Sequence, residues 1–324
     1  MRVLVVGGAG YIGAHMCKHL AGQGHQVVVC DDLSTGHRAA VRWGKCVEAS
    51  IGDEAALDAL FGRQRFDAVM HFAACSIVGE SVADPLKYYR NNVGNTLVLL
   101  DAMRRNGVDR FVFSSTAAIF GEPETELIDE QHPTRPVNPY GRTKLAIEQV
   151  LQDCASAYGL RAVALRYFNA AGADESGLIG ESHHPETHLI PRLLRKAAGE
   201  AIDVQIFGDD YPTVDGTCVR DYIHVNDLAD AHIKAVDCLD RGPGFHSFNL
   251  GNGTGFTVRQ VVSAVEEVVG RRLGVETGAR RAGDSVSLVA SSAHARTSLN
   301  WNPRASGLHH IIESAWRWHR APAY

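Results

Sequence analysis

The chain has 324 residues, 45% of them hydrophobic, and a formal net charge of −5 from 37 acidic and 32 basic side chains. That is enough chain for one large core or two associated domains. It carries no Lys/Arg run able to track a phosphate backbone, so nucleic acid is not an expected partner, and no stretch reaches the ~20 apolar residues of a membrane span.

Arg2 to Val6 is a short apolar run, too brief for a secretory h-region and better read as a first buried strand. Gly7-Gly8-Ala9-Gly10-Tyr11-Ile12-Gly13 follows at once, then a helical pattern over Tyr11–Gly22, then a second strand, Val27–Cys30, ending at Asp31. In the order strand, glycine turn, helix, strand, acid, each glycine has its own task. Gly7 permits the tight turn, Gly10 lets the backbone approach a pyrophosphate, and Gly13 allows the helix to pack on the strand. The helix N-terminus offers unpaired N–H groups to the phosphates. Asp31 follows Gly13 at close to the ~20-residue spacing at which an acid holds the adenosine ribose, and its charge would repel the 2′-phosphate of NADP, so NAD is the expected cofactor.

Further βα units follow. Asp67–Ala74 reads as a strand entering a loop of small residues. Asp109–Phe113 is a strand ending in Ser114-Ser115-Thr116, and Ala162–Arg166 is another. Long amphipathic helices are expected over Pro85–Arg105 and Pro139–Tyr158. The alternation predicts an α/β fold, a Rossmann-type doubly wound parallel sheet with a smaller C-terminal α/β substrate lobe. The expected division is residues 1–168 for the NAD-binding domain, with a return around 219–250, and residues 169–324 mainly for substrate.

Chemistry in such sheets gathers at the carboxyl ends of the strands. Thr116 lies just past one of them. Tyr140 and Lys144 are one helical turn apart and share a face, with Asn138 as N-cap and Pro139 as first helical residue. A tyrosine with a lysine one turn away is a general base with its own tuning device. Moving a phenol from pKa ~10 to ~6–7 takes roughly 4–5 kcal/mol, which a nearby ammonium and the positive nicotinamide ring can supply. Thr116 would donate a hydrogen bond to the reacting oxygen.

The glycine turn, Ser114-Ser115-Thr116 and Tyr140-Gly-Arg-Thr-Lys144 resemble the extended short-chain dehydrogenase/reductase superfamily. Within it, three further segments are similar to UDP-glucose 4-epimerases: Val78-Gly-Glu-Ser-Val82, Leu165-Arg-Tyr-Phe-Asn169, and Asp215-Gly-Thr217 running on to Arg220-Asp-Tyr-Ile-His224. The similarity runs nearly end to end. It implies an NAD-dependent epimerase acting at C4 of a UDP-hexose, with Thr116, Tyr140 and Lys144 catalytic. It places Tyr11 and Ile12 at the pyrophosphate, Asp31 at the ribose, Phe72, Ala73, Ala74 and Asn91 along the cofactor, and Phe168 beside the nicotinamide. The same resemblance extends the cofactor set to Asp32, Leu33, Ser34, Ser50, Ile51, Ser76 and Ser114. For the substrate it implies Asn169, His188 and Leu189 near the phosphates and sugar, Phe207 near the uracil, Arg220 and Arg281 on the diphosphate, and Asp284 on a ribose hydroxyl. Leu288 falls on a wall that meets the sugar's C2 substituent, and its intermediate size favours UDP-glucose and UDP-galactose over N-acetylated sugars.

Ser50, Ser76, Phe120 and His188 depart from the family's usual Asp, Lys, Tyr and Asn. The relatives that dehydrate nucleotide sugars carry an Asp-Glu pair after the strand-end Thr. Here Ala117 and Ala118 stand there and cannot move protons. An epimerase for UDP-pentoses, hexuronates or N-acetylhexosamines, or an NAD-binding regulator without turnover, are the remaining alternatives. His183, His184 and His188, and the i, i+4 pair His15 and His19, lack a Cys or a matched distant ligand pair, so no metal is expected. Seven dispersed cysteines with no Cys-x-x-Cys pair fit a reducing cytoplasm. Trp301, Trp316 and Trp318 are expected in packing. Apolar residues beyond one stripe of the two long helices, namely Leu97, Leu100, Ile147 and Leu151, together with the resemblance, lead to the expectation of a homodimer built on a symmetric helix contact.

Overall fold

A computed structural model of the chain describes residues 1–281 and 284–324. The first elements are β1 (Arg2–Val6), α1 (Tyr11–Gly22), β2 (Gln26–Asp31), β3 (Lys45–Glu48), α2 (Glu54–Arg63), β4 (Ala68–His71), α3 (Val78–Ala83), α4 (Pro85–Tyr88), α5 (Asn95–Arg105), β5 (Arg110–Thr116), α6 (Pro139–Tyr158) and β6 (Arg161–Tyr167). Then come β7 (Asn169–Ala171), α7 (Leu189–Ala197), β8 (Gln205–Phe207), β9 (Val219–His224), α8 (Val225–Cys238), β10 (Gly244–Leu250), β11 (Gly255–Thr257) and α9 (Val258–Val269). The last are β12 (Glu276–Gly278), β13 (Ser287–Leu288), α10 (Ala293–Ser298) and α11 (Leu308–Arg320).

The chain forms two compact units. The first comprises Met1–Gly121, Pro133–Arg166 and Ala229–Phe248, and the second Glu122–His132, Tyr167–Leu228 and Asn249–Tyr324. The return to the first unit is thus shorter than the expected 219–250, and the segment Glu122–His132, expected in the first domain, belongs with the second.

The first unit is built on a seven-stranded sheet of order β10-β6-β5-β4-β1-β2-β3. Pairing is parallel from β3 through β2, β1 and β4 to β5. β1 is buried almost throughout, as an apolar run covered on both faces should be. Its order steps outward from β1 in both directions, which creates the switch point where open α/β sheets bind ligands. Leu4, Val6, Val69, Phe111 and Phe113 of the sheet pack with Leu99, Leu100 and Met103 of α5 and Ile147 and Leu151 of α6 in one core.

Two expectations are corrected here. The single helix expected over Pro85–Arg105 is α4, a π-helical turn at Tyr89–Gly94, and α5. Asn92, buried in that turn, is held by the Cys75 backbone: it accepts from Cys75 N at 2.9 Å and donates to Cys75 O at 3.0 Å. It also donates to Thr143 Oγ1 at 3.1 Å, which fixes the turn against α6. Second, Leu100, Ile147 and Leu151 lie in the core and are not available to a partner; of the four residues named for a dimer, Leu97 alone is exposed. Both helices spend their 3.6-residue stripe on the sheet, leaving only residues off that stripe outside.

The second unit holds a four-stranded sheet in which β9 pairs with β7, β11 and β13, and a two-stranded sheet of β8 and β12. α7, α9 and α11 bury Ile190, Leu193, Leu194, Val261, Val265, Ile311 and Ile312 in a core of their own. Trp301 and Trp318 are buried and Trp316 packs against this core. All seven cysteines are free. Among the described residues no helix is long and apolar enough to cross a membrane.

Candidate active site

The glycine turn closes tightly on the chain itself. Gly7 has φ +77°, and a Cβ there would lie 2.5 Å from Ala73 N; a Cβ on Gly13 would lie 2.1 Å from Gly7 O. Both positions are therefore required by packing. Gly10 is different. As N-cap of α1 it has φ −81°, and an added Cβ would meet only Gly7 O, at an ordinary 3.5 Å. The fold has room for a side chain at Gly10, so the absence of one leaves open space in front of the α1 N-terminus, which suits a dinucleotide pyrophosphate. Tyr11 and Ile12 open α1 directly beyond it.

At the end of β2, Asp31 is 9% exposed. Its two oxygens accept from Ala9 N at 2.9 Å and Leu33 N at 2.8 Å, so the carboxylate is fixed beside the turn with lone pairs to spare. Burial raises its pKa, and the hydrogen bonds from Ala9 and Leu33 act against that. Leu33 takes φ +59°. Asp32 holds the next loop by accepting from Ser34 N and Ser34 Oγ. Ser50 Oγ accepts from Gly52 N, and Ile51 is buried. Phe72, Ala73 and Ala74 lie half-buried beyond β4, while Ser76 is exposed. Asn91 sits in the π-helical turn and donates to Asn92 Oδ1 at 3.0 Å. The open cradle at Gly10, the Asp31 carboxylate and the α1 N-terminus fit an adenine dinucleotide.

β5 delivers Ser114 and Thr116. Thr116 Oγ1 accepts from Ala118 N at 3.1 Å and so starts the short 3-10 turn Ala117–Ile119. α6 begins where expected: Asn138 Oδ1 accepts from Gly141 N at 2.9 Å and Pro139 occupies the first turn. Gly141 is obligatory, since a Cβ there would lie 2.3 Å from Ala118 O; its absence lets α6 press its first turn against the Thr116 loop. Tyr140 and Lys144 are thereby brought to the end of β5. Lys144 is 2% exposed and donates from Nζ to Ser114 O at 2.7 Å. Nζ lies 5.9 Å from the centre of the Tyr140 ring and 4.7 Å from that of Phe113.

The electrostatics run opposite to the sequence expectation for the phenol. Burial around its hydroxyl pushes Tyr140 up to about 12, and a hydrogen bond with Thr116 pulls only partly the other way. Burial also brings Lys144 down to about 7, opposed by the charge of Glu148. The chain's own groups do not favour the phenolate of Tyr140, because desolvation outweighs its hydrogen bond with Thr116. Sequence reasoning also missed Glu148 and Arg166. These buried residues form a two-pronged ion pair, Arg166 Nη2 to Glu148 Oε2 at 2.6 Å and Nε to Oε1 at 3.1 Å, and Ser115 Oγ donates to the same carboxylate. Glu148 is one turn beyond Lys144 on α6, a spacing that could have signalled it.

In the second unit, Asn169 donates from its side-chain amide to Asp221 O at 2.7 Å. Phe168 N bonds Leu250 O. Arg220 donates to Val219 O and Ser285 O and lies 3.6 Å from Asp284. Arg281, exposed, bonds Asp284 at 3.1 Å and stacks 4.8 Å over Phe207. Leu288 on β13 is half-buried and in register with Arg220 on β9. Leu189 opens α7, and His188 is its N-cap. The imidazole of His188 faces Glu181 and Glu186, each at 2.9 Å. These acids, with His183, make a cluster whose acids and histidines interleave locally as Glu-x-His-x-x-Glu-x-His, a pattern with no Cys or distant ligand pair. His15, by contrast, is buried in α1 and bonds Tyr11 O at 2.7 Å.

Fold and site define a class: an α/β dinucleotide-binding protein of the short-chain dehydrogenase/reductase type, with a Tyr and a Lys on the helix that follows the Thr-bearing strand. More narrowly, the chain belongs to the NAD dependent epimerase/dehydratase family, which matches residues 3–251. The UDP-glucose 4-epimerase of Rhizobium leguminosarum bv. trifolii is 53% identical over 317 residues, 98% of this chain and 97% of that one. That of Halalkalibacterium halodurans is 51% identical over 320 residues, 99% and 96% of the two chains. The crystal structure of UDP-glucose 4-epimerase from Brucella ovis in complex with NAD is 52% identical and superposes with a TM-score of 0.95 over 97% of each chain.

Proposed function

We propose that this chain is an NAD-dependent 4-epimerase that interconverts UDP-glucose and UDP-galactose. One observation carries the reading: Tyr140 and Lys144 stand at the end of β5, while the turn after Thr116 presents Ala117 and Ala118. The groups needed to oxidise and reduce one carbinol carbon are present, and a pair able to expel water from its neighbour is not. Held at Gly10, the α1 N-terminus and Asp31, NAD would supply a hydride acceptor and donor for C4 and a positive ring that favours a nearby phenolate. Tyr140 takes the O4 proton as the 4-keto sugar forms and gives it back as the hydroxyl is restored. Thr116 hydrogen-bonds O4, and Lys144 holds positive charge beside the phenol.

For the substrate, Arg220 and Arg281 supply fixed donor forks for a diphosphate, and Phe207 an aromatic face for uracil. Asn169, His188, Leu189 and Asp284 complete the contacts with phosphate, sugar and ribose, and Leu288 sets the width at C2. The chain works as a homodimer in the cytoplasm; its unpaired cysteines suit a reducing compartment.

The test is a panel of UDP-sugars read by NMR for C4 configuration. UDP-galactose and UDP-glucose interconvert without added cofactor, and the N-acetylated pair is slow. Tyr140→Phe retains NAD and loses ~10²–10⁴-fold in kcat. Leu288→Ser raises the relative kcat/KM for the N-acetylated pair. Near-normal kcat in Tyr140→Phe overturns the assignment of the base, and a panel with no turnover while NAD is bound favours the non-catalytic alternative.

A further inference from the structure

Just before α7, one cluster collects four metal-ligating side chains within eight residues of chain, one of which, His188, is also proposed near the substrate. Glu181, His183, Glu186 and His188 each present one ligand atom, and these atoms all lie within 4.8 Å of one another. Glu181 Oε1 lies 3.2 Å from His183 Nδ1 and 2.9 Å from His188 Nδ1. Glu186 reaches His188 Nδ1 at 2.9 Å with one oxygen and His183 Nδ1 at 3.5 Å with the other. Metal–ligand bonds of ~2.0–2.2 Å in a tetrahedron give edges of roughly 3.3–3.6 Å between ligands. Of the four imidazole–carboxylate edges, those of 3.2 and 3.5 Å lie close to that length and the two of 2.9 Å are shorter, with Glu186 meeting the two histidines through different oxygens.

The loop is anchored for such a purpose. Gly180 lies against the Trp318 indole so closely that a Cβ would come within 2.4 Å of it, and Trp318 Nε1 donates to Glu181 O at 2.9 Å. At the other end His188 caps α7, and its own N–H bonds Glu186 Oε1 at 2.8 Å.

The charges ask for two positive units at the centre. Glu181 is 5% and Glu186 9% exposed, and buried carboxylates require compensation. Neutral imidazoles cannot provide it, and with Nδ1 unprotonated they would set lone pairs against the carboxylate oxygens. Protonated imidazoles could supply that charge. Yet each Nδ1 carries one hydrogen and faces oxygens of both acids, and two imidazolium rings would sit 5.2 Å apart. One divalent cation meets all four atoms, leaves both histidines neutral and cancels both carboxylates.

We infer that Glu181, His183, Glu186 and His188 bind one structural Zn²⁺ that clips the loop before α7. Two imidazole nitrogens and two carboxylate oxygens in tetrahedral array match zinc rather than magnesium or calcium, which take six or more oxygens. All four positions are filled by protein, as in structural rather than catalytic sites.

The test uses the full-length protein with its NAD. After dialysis against EDTA, zinc chloride is added and excess removed by gel filtration. One zinc per chain is expected by elemental analysis, with a higher melting temperature than the chelated form. Cobalt(II) in its place gives visible tetrahedral d–d bands without a thiolate charge-transfer band, which separates this site from the seven cysteines. Glu181→Gln combined with His183→Ala loses the metal while keeping NAD; Cys46→Ser combined with Cys75→Ser keeps it. Wild-type protein that retains no zinc, metal retained by the Glu181/His183 double variant, or a thiolate band with cobalt overturns the inference. If the Glu181/His183 variant does not fold, the reconstitution and cobalt spectrum of the wild type still decide it.

Discussion

At position 10 a methyl group has room, and at position 13 it has none. A Cβ on Gly10 would meet one backbone oxygen at 3.5 Å, and one on Gly13 would be driven to 2.1 Å from Gly7 O. The two glycines of one motif therefore answer to different demands. Gly10→Ala should melt near the wild type yet purify without NAD, because the added methyl occupies the pyrophosphate's approach. Gly13→Ala should lose ~1–3 kcal/mol or more of stability, as overpacking does. Melting curves and NAD content of the two variants check this, and Gly10→Ala with full NAD would refute it. Lys144 offers a second residue-scale test. Its folded pKa of about 7 lies below the ~10.4 of an unfolded lysine, so between those values the unfolded chain binds the extra proton. The burial penalty is full below about pH 7 and fades as pH rises toward ~10. Lys144→Met removes that titration. Stability of the variant relative to wild type, from denaturant titrations, should be most favourable at pH 6 and decline steadily to pH 10; a difference independent of pH would contradict it.

Helices and strands differ in how much of them the sequence reveals. α1 and α6 are found at their read boundaries because a glycine turn fixes one start and Asn138-Pro139 the other. The Pro85–Arg105 helix was misread for a tertiary reason: Asn92 carries no signal of its hold on Cys75 or Thr143, and periodicity cannot announce a π-helical turn. The same blindness sent Leu100, Ile147 and Leu151 to an outer face, when the seven-stranded sheet consumes them. Exposed apolar side chains here include Leu97 on α5 and Tyr158 on α6, with Val78, Val82, Leu86 and Tyr89 before α5. We propose that Val82, Leu86, Tyr89 and Leu97 contribute to the seam of the proposed homodimer. Leu97→Glu combined with Leu86→Glu should sediment as a monomer at micromolar concentration while keeping NAD. A wild-type monomer, or a dimer untouched by both charges, would refute the seam.

For the whole molecule, the parallel α/β alternation and the glycine turn were legible because short-range patterns fix them: apolar runs, turns and a spaced acid; the strand order, which includes β3 and β10, was not. The clustering of Glu122–His132 with the second unit was not, since it depends on distant pairings such as Ile128 with Val289 and Asn249. Among the candidate site residues, the gathering of Thr116, Tyr140 and Lys144 at the end of β5 was readable from motif and helical spacing. The phenol's raised proton affinity was not, because burial is a property of the fold and not of the spacing. Because burial raises Tyr140 in the chain alone, the proposed base would rely on the charge of its cofactor to act at neutral pH, tying base and hydride acceptor into one cycle at one carbon. That claim is tested most directly by UDP-galactose carrying deuterium at C4, incubated with the purified enzyme in ordinary water without added NAD. The UDP-glucose formed should keep its deuterium at C4, since the hydride leaves and returns within one active site. Loss of the label to solvent would contradict it, pointing to proton abstraction from carbon instead.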